Sequence, residues 1–132
     1  MSVVADTHAL IWYLLDDPRL SQRAAAALDE ATGERRKIFS PTISLVEATY
    51  LVEKGRITEE ALYLLERVLA QEDSPIRPIE LTLDVAKAIR KIPRKSVPDL
   101  PDRVIAATAL ALGLPLVTRD GKIRASGIET IW

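Results

Sequence analysis

Short apolar runs alternate with longer segments of helical periodicity along the whole chain. Continuous apolar runs at 2–5, 37–40 and 114–118 are typical of strands that are buried on both faces. Weaker runs predict two further strands, one at 76–81, which contains a proline, and one at 128–132. The sequence therefore predicts five short strands, each separated from the next by helical segments.

Apolar residues recur at helical spacing in the segments between these runs. Ser21 and Thr58 are predicted N-caps, and Gly55 and Gly113 are predicted to end helices. The helices are predicted over 7–15, 21–28, 43–55, 58–69, 83–92 and 101–112, with an irregular loop over 93–100 and a short turn or helix over 120–126. Because strands alternate with helices, we expect an α/β fold, a three-layer α/β/α sandwich around a short central parallel sheet.

Composition limits the chemistry that the chain can perform. Its 132 residues predict one domain over 1–132, and 48% apolar with 28% charged residues is the balance of a globular protein. Cysteine is absent, which excludes disulfides, thiolate zinc sites and cysteine nucleophiles. His8 is the single histidine, which excludes metal sites with several histidine ligands. A net charge of −1 leaves any binding of nucleic acid to a local patch. No apolar stretch is long enough to span a membrane and no signal peptide is evident, so we expect a cytoplasmic location.

Two of the predicted strands end in an aspartate. Asp6 follows the first strand and Asp120 follows the strand at 114–118. In open parallel sheets, ligands bind beyond the carboxyl ends of strands, where the strand order reverses. If the two strands are neighbours, both carboxylates face one crevice. Taken alone, either aspartate can also be explained as a turn residue or a helix cap, without a role in ligand binding.

Three further acids lie on predicted helices or just before one. Glu47 sits among apolar neighbours, where an ionised side chain needs a partner, and Lys54 is too far along the helix to supply a good one. Asp99 and Asp102 are three residues apart at a helix start, which is the spacing of a capping pair. Asp102 is also one turn into the helix, where the helix dipole favours its negative charge.

Several carboxylates in one cleft repel one another unless a cation neutralises them. Because neither cysteine nor more than one histidine is available, the ligands are oxygens, which suits Mg²⁺ or Mn²⁺ better than zinc. Such an ion polarises a phosphoryl group and activates water. The residues therefore point to hydrolysis of a phosphodiester.

The four acids in their sequence contexts resemble the acidic motifs of PIN-domain ribonucleases, and more narrowly those of VapC-type toxins. The contexts are A-D-T-H around Asp6, I-S-L-V-E-A around Glu47, D-L-P-D-R around Asp102 and L-V-T-R-D around Asp120. The resemblance implies a metal-dependent endoribonuclease with a central parallel sheet, usually a homodimer, inhibited by a small antitoxin. It assigns metal binding and catalysis to these four acids.

Other residues take accessory roles by the same resemblance or by their charge. Asp99, Thr118 and Ser44 match an accessory acid, a hydroxyl near the site and a serine before the helix acid. Residues expected to contact RNA phosphates are the basic run and two arginines beside the acids, namely Lys91, Arg94, Lys95, Arg103 and Arg119. A solvated helix face is the alternative for the run, and packing is the alternative to catalysis for His8.

Other functions are compatible with the same residues. A non-catalytic PIN-like module that binds RNA or a partner is one alternative, and a housekeeping RNA-processing nuclease is another. A phosphotransfer protein with Asp6 as nucleophile fits less well, because no second acid follows two residues later.

Overall fold

A five-stranded sheet crosses the computed structural model, which describes residues 1–132. Its order is β3-β2-β1-β4-β5, and every pair of neighbours is parallel. The strands are β1 (Val3–Ala5), β2 (Ile38–Pro41), β3 (Ile76–Ile79), β4 (Leu116–Val117) and β5 (Thr130–Ile131). The predicted parallel sheet and the neighbouring position of the first and fourth strands are confirmed.

Seven α-helices connect these strands. They are α1 (Thr7–Leu14), α2 (Gln22–Ala31), α3 (Ile43–Glu53), α4 (Glu59–Ala70), α5 (Leu83–Ala88), α6 (Leu100–Leu112) and α7 (Gly121–Arg124). Ser21 and Thr58 cap α2 and α4 as predicted, accepting hydrogen bonds from Ala24 N at 3.0 Å and Ala61 N at 3.2 Å. The helices lie on both sides of the sheet, which confirms the three-layer α/β/α fold.

Two apolar cores lie on the two faces of the sheet. Because side chains alternate along a strand, Val3 joins the core that contains Leu10, Leu28 and Leu65 of α1, α2 and α4. Val4 joins the other core, which contains residues of α5, α6 and α7, such as Val85, Ile105 and Ile123. A strand buried on both faces explains why β1 is apolar throughout.

The helix predicted over 83–92 is interrupted. The α-helix ends at Ala88, and Ile89–Lys91 forms a 3₁₀ turn. Pro93 disfavours helical geometry at Ile92, which is extended with φ −113° and ψ 101°. The Arg103 guanidinium donates hydrogen bonds to the carbonyls of Ile89 and Ile92, at 2.8 to 3.1 Å, and so satisfies groups that the ended helix leaves free.

Strands β3 and β4 are shorter than the sequence pattern predicts. Gly113, with φ +66°, ends α6, and Leu114 N still bonds back to the carbonyl of Ala109, so β4 starts only at Leu116. β3 ends at Ile79 and includes Pro78, which an edge strand tolerates. None of the helices has the length and apolar character needed to cross a membrane.

Candidate metal and catalytic site

Asp6 and Asp120 meet at the carboxyl ends of the adjacent strands β1 and β4. Ala5 is in register with Val117, so the two chain segments leave the sheet side by side. Asp6 caps α1 by accepting a hydrogen bond from Ala9 N at 2.8 Å. Oδ1 of Asp120 accepts two backbone N–H groups at 2.8 and 3.0 Å, which leaves its Oδ2 without a protein partner. Capping therefore orients both acids and leaves oxygen for a ligand.

Glu47 is held by a buried hydroxyl pair. The Thr7 hydroxyl donates to Glu47 Oε1 at 2.5 Å and lies 2.9 Å from the buried Ser44 hydroxyl. This partner is a hydroxyl on α1, and Lys54 makes no ion pair with Glu47. The hydrogen bond fixes the carboxylate on the side of α3 that faces Asp6. Thr7 was not predicted as a site residue, although its place directly after Asp6 marks it as a neighbour of the site.

Asp99 and Asp102 are brought to Glu47 by the start of α6. Asp99 accepts a hydrogen bond from Asp102 N at 3.1 Å, so the predicted capping pair forms. One carboxylate oxygen from each of Glu47, Asp99 and Asp102 lies within 4.8 Å of the other two. Asp99 is exposed, whereas the other two are half-buried. This separation suits ligands that share one cation.

The surroundings of Asp102 strongly perturb its titration. Burial is the largest cause, and together with the negative charges of Asp99, Asp120, Glu47 and Asp6, in that order, it raises the pKa of Asp102 to about 8. An acid with this pKa keeps its proton at neutral pH unless a cation replaces it. A divalent cation bound by oxygen ligands therefore fits the electrostatics of the cluster.

The pKa of Asp6 is also raised by burial, but hydrogen bonds oppose the effect more strongly than they do at Asp102. Burial raises the pKa of Asp6, and hydrogen bonds from the Thr118 hydroxyl and from Ala9 N lower it in part. The Thr118 hydroxyl also accepts a hydrogen bond from Asp120 N at 3.0 Å. Thr118 is fully buried between the two acids that follow β1 and β4.

Two chemically different groups of residues line the cavity at this edge of the sheet. The cavity has a volume of about 360 Å³. Its acidic residues are Asp6, Glu47, Asp102 and Asp120, which we call the acid cluster. Its cationic residues are Arg19, Arg56 and Arg119, which we call the arginine wall, and they lie beside Trp12 and His8. The four acids predicted from sequence are thus brought together in one cavity.

A second cavity adjoins the first. It has a volume of about 380 Å³ and includes Asp99 and Lys122 in its lining. Asp102 and Asp120 line both cavities, so they stand where the two meet.

The residues predicted to contact RNA are divided by the structure. Arg119 lines the cavity, whereas Arg103 is engaged by carbonyls of the turn before α6. Lys91, Arg94 and Lys95 are exposed, form no ion pair and lie on the 3₁₀ turn and the loop that leads to Asp99. Their contact with RNA stays a prediction.

Arg19 and Arg56 were not predicted from the sequence. Each lies in a connection between two helices, Arg19 directly after Pro18 and Arg56 directly after Gly55. Such positions are typical of solvated loop cations, and no spacing links the two residues to each other or to the acids. Only the tertiary fold brings them to the cavity.

Comparisons with known proteins identify similar chains. A family model described as the PIN domain matches residues 3–127. The ribonuclease VapC22 of Mycobacterium tuberculosis is 32% identical over 124 residues, which are 94% of this chain and 91% of that protein. In a structure of VapBC2 from Rickettsia felis bound to a promoter DNA fragment, a chain 18% identical aligns with a TM-score of 0.70 over 98% of this chain and 97% of its own. In a toxin–antitoxin complex from Klebsiella pneumoniae, a 24% identical chain aligns with a TM-score of 0.62 over 99% and 97%.

Proposed function

The chain belongs to the PIN-domain family, and on this premise we propose that it is a metal-dependent endoribonuclease that acts as the toxin of a type II toxin–antitoxin pair. The 32% identical relative is named a ribonuclease, and the structural neighbours include toxin–antitoxin complexes. The reaction is the hydrolysis of RNA phosphodiester bonds. The observation that carries the proposal is the convergence of Asp6, Glu47, Asp102 and Asp120 in one cavity.

The acid cluster would hold Mg²⁺, or Mn²⁺ in its place. Its donors are carboxylate oxygens alone, and Asp99 lies close enough to Glu47 and Asp102 to act as an accessory acid. When bound, the ion supplies neutralising charge, polarises the phosphoryl group and lowers the pKa of water.

The chain's own residues orient the reacting groups. Thr7, supported by Ser44, fixes the rotamer of Glu47, and Thr118 donates to Asp6 while it accepts from the backbone of Asp120. These bonds hold the carboxylates in place before substrate binds, which lowers the cost of organising the site. Asp102 and Asp120 line both cavities. An RNA strand that extends from one cavity to the other would therefore place a phosphodiester next to these two acids.

The partners follow from the same cavity. A small antitoxin would inhibit the enzyme by placing an Arg or Lys side chain among the acids, where a guanidinium suits paired carboxylates. Because the cation and this side chain would compete, raising Mg²⁺ at constant ionic strength should weaken the binding of the antitoxin segment. Calorimetry across a Mg²⁺ series measures this, and an affinity that does not change with Mg²⁺ would contradict inhibition at the acids. We also propose that the protein is a homodimer.

The experiment that tests the proposed function compares induced expression of the wild type and of Asp6→Asn. We expect growth arrest and RNA cleavage with the wild type and neither with the variant, at equal protein levels. A wild type that binds RNA without cleaving it would support a non-catalytic binding module. Cleavage without growth arrest would support a housekeeping nuclease.

A further inference from the structure

Two guanidinium groups lie over the ring of Trp12. The Cζ atom of Arg119 is 4.6 Å from the ring centroid, and that of Arg19 is 4.9 Å from it. Trp12 is only 4% exposed and packs against the rings of His8 and Trp132, at centroid distances of 5.5 and 6.0 Å. Because its surroundings fix the indole, it provides a rigid surface on which the arginines stack.

The stacked Arg119 guanidinium forms no ion pair, although several carboxylates line the same cavity. It precedes Asp120 in the chain and lines the same cavity as the acid cluster, yet it forms no ion pair within 4.0 Å. Arg56 also lines the cavity without an ion pair. Arg19 differs, because Asp17 binds it through two oxygens at 2.8 and 3.0 Å. Arg119 and Arg56 therefore retain N–H donors for an anionic ligand in the cavity.

We propose that Arg119 and Arg56 bind a phosphate of the RNA that neighbours the phosphodiester to be cleaved, with Trp12 as the residue that positions Arg119. The proposal rests on the proposed function, since it assumes that the acid cluster acts on RNA. A guanidinium presents parallel N–H donors that match a phosphate. The buried Trp12 exposes too little of its ring to stack on a base, so the ligand meets the arginines.

The negative charge of the acid cluster explains why cations are needed in the same cavity. An RNA backbone that approaches carboxylates is repelled, and the chain has no net positive charge to offset this. Cations in the same cavity supply the local attraction. If Arg119 collapsed onto Asp120, both charges would be cancelled, and stacking on Trp12 favours the separated arrangement.

The first test measures binding of a fluorescein-labelled 12-nucleotide RNA of random sequence by anisotropy in EDTA. Arg119→Ala removes one set of charge-assisted hydrogen bonds to phosphate, so its Kd should rise by about tenfold. The slope of log K against log salt should fall by about 0.7. Arg124→Ala is the matched control, because it removes an exposed arginine of α7 outside the cavity. The proposal is wrong if the two variants behave alike.

The second test separates positioning from structure. In steady-state cleavage with Mg²⁺, we expect Arg119→Ala to raise KM about tenfold with little change in kcat, and to leave Mg²⁺ affinity unchanged. Arg119→Lys keeps the charge but not the planar donors, so its KM should lie between those of the wild type and Arg119→Ala. Trp12→Phe should recover most of the RNA affinity that Trp12→Leu loses. An additive loss in Trp12→Leu combined with Arg119→Ala would overturn the role of Trp12.

The outcomes distinguish this inference from the proposed function. If the wild type cleaves RNA and Arg119→Ala matches the control, this inference fails alone. If the wild type neither binds nor cleaves RNA, both fail. An octamer of glutamate that binds in an Arg119-dependent manner, while RNA does not, would assign the arginines to an acidic protein partner and overturn the proposal.

Discussion

The acid cluster and the arginine wall line one cavity, but they are held by different means. Asp6 and Asp120 follow adjacent strands and cap the helices that come next, so the local backbone fixes their positions. Arg119 is positioned by stacking on Trp12, a residue of α1, whereas Arg19 stacks on the same ring but is also bound by Asp17. Asp6 and Asp120 are therefore positioned by short-range structure, and Arg119 is positioned by tertiary packing. This difference predicts that the two groups fail in different ways when altered.

The largest effect should come from removing one acid. We expect Asp6→Asn or Asp102→Asn to lower Mg²⁺-dependent RNA cleavage by at least about a hundredfold, because each substitution removes one ligand and its charge. The fold should persist, since the amide relieves repulsion among the remaining acids. Cleavage assays together with circular dichroism measure both effects.

The matched control for this loss is Glu53→Gln. Glu53 lies on the same helix as Glu47, but it is exposed and does not line the cavity. Its variant should keep wild-type cleavage. Full activity of either aspartate variant, with unchanged Mg²⁺ affinity, would remove that residue from the site.

The contrast between the two groups also explains what could be predicted from sequence. Apolar runs and helix caps are local signals, and they predicted the strands, the parallel sheet and the acids at strand ends. The break at Ala88 was missed, because it depends on Pro93 together with hydrogen bonds from Arg103, which is distant in sequence. Arg19 and Arg56 were missed for the same reason: their approach to the cavity is a tertiary event that leaves no periodicity in the chain.

The next effect concerns the stability of the metal-free protein. Because the pKa of Asp102 is about 8 in the fold and 3.8 when unfolded, the folded state binds more protons between these values. The contribution of Asp102 to stability should therefore be greatest below about pH 4 and be lost as the pH rises to about 8. Because Asp102 is half-buried and solvent screens part of the effect, we expect a loss of roughly 1–3 kcal/mol. The raised pKa of Asp6 acts in the same direction.

Urea titrations in EDTA at several pH values measure this dependence. Excess Mg²⁺ should remove most of the loss at high pH, because it binds the ionised acids of the folded state alone. Asp102→Asn should flatten the profile in EDTA. A metal-free protein whose stability rises from pH 5 to pH 8 would show that the acids do not repel one another as described.

A smaller effect is expected from the basic run outside the cavity. Replacing Lys91, Arg94 and Lys95 by Ala should weaken RNA binding and reduce the log–log salt slope by up to about 0.7 for each phosphate that is no longer neutralised. The effect should fall on KM, since these residues lie away from the reacting groups. A triple variant with the same change of charge, in which Arg23, Arg67 and Arg124 become Ala, is the control. Equal slopes in the two variants would mean that the run is only a solvated surface.

The smallest effect separates capping from chemistry within the acid cluster. Asp120→Asn keeps an oxygen that accepts the N–H groups of Lys122 and Ile123, whereas Asp120→Ala loses the cap of α7. Both variants remove the negative charge, so both should lose cleavage and both relieve repulsion equally. Asp120→Ala should nevertheless be less stable than Asp120→Asn by about 1 kcal/mol, the usual worth of an N-cap. Chemical unfolding in EDTA measures the difference. If the two variants were equally stable, the cap would not hold Asp120 in place, and the distinction between locally fixed acids and tertiary arginines would lose its support at this residue.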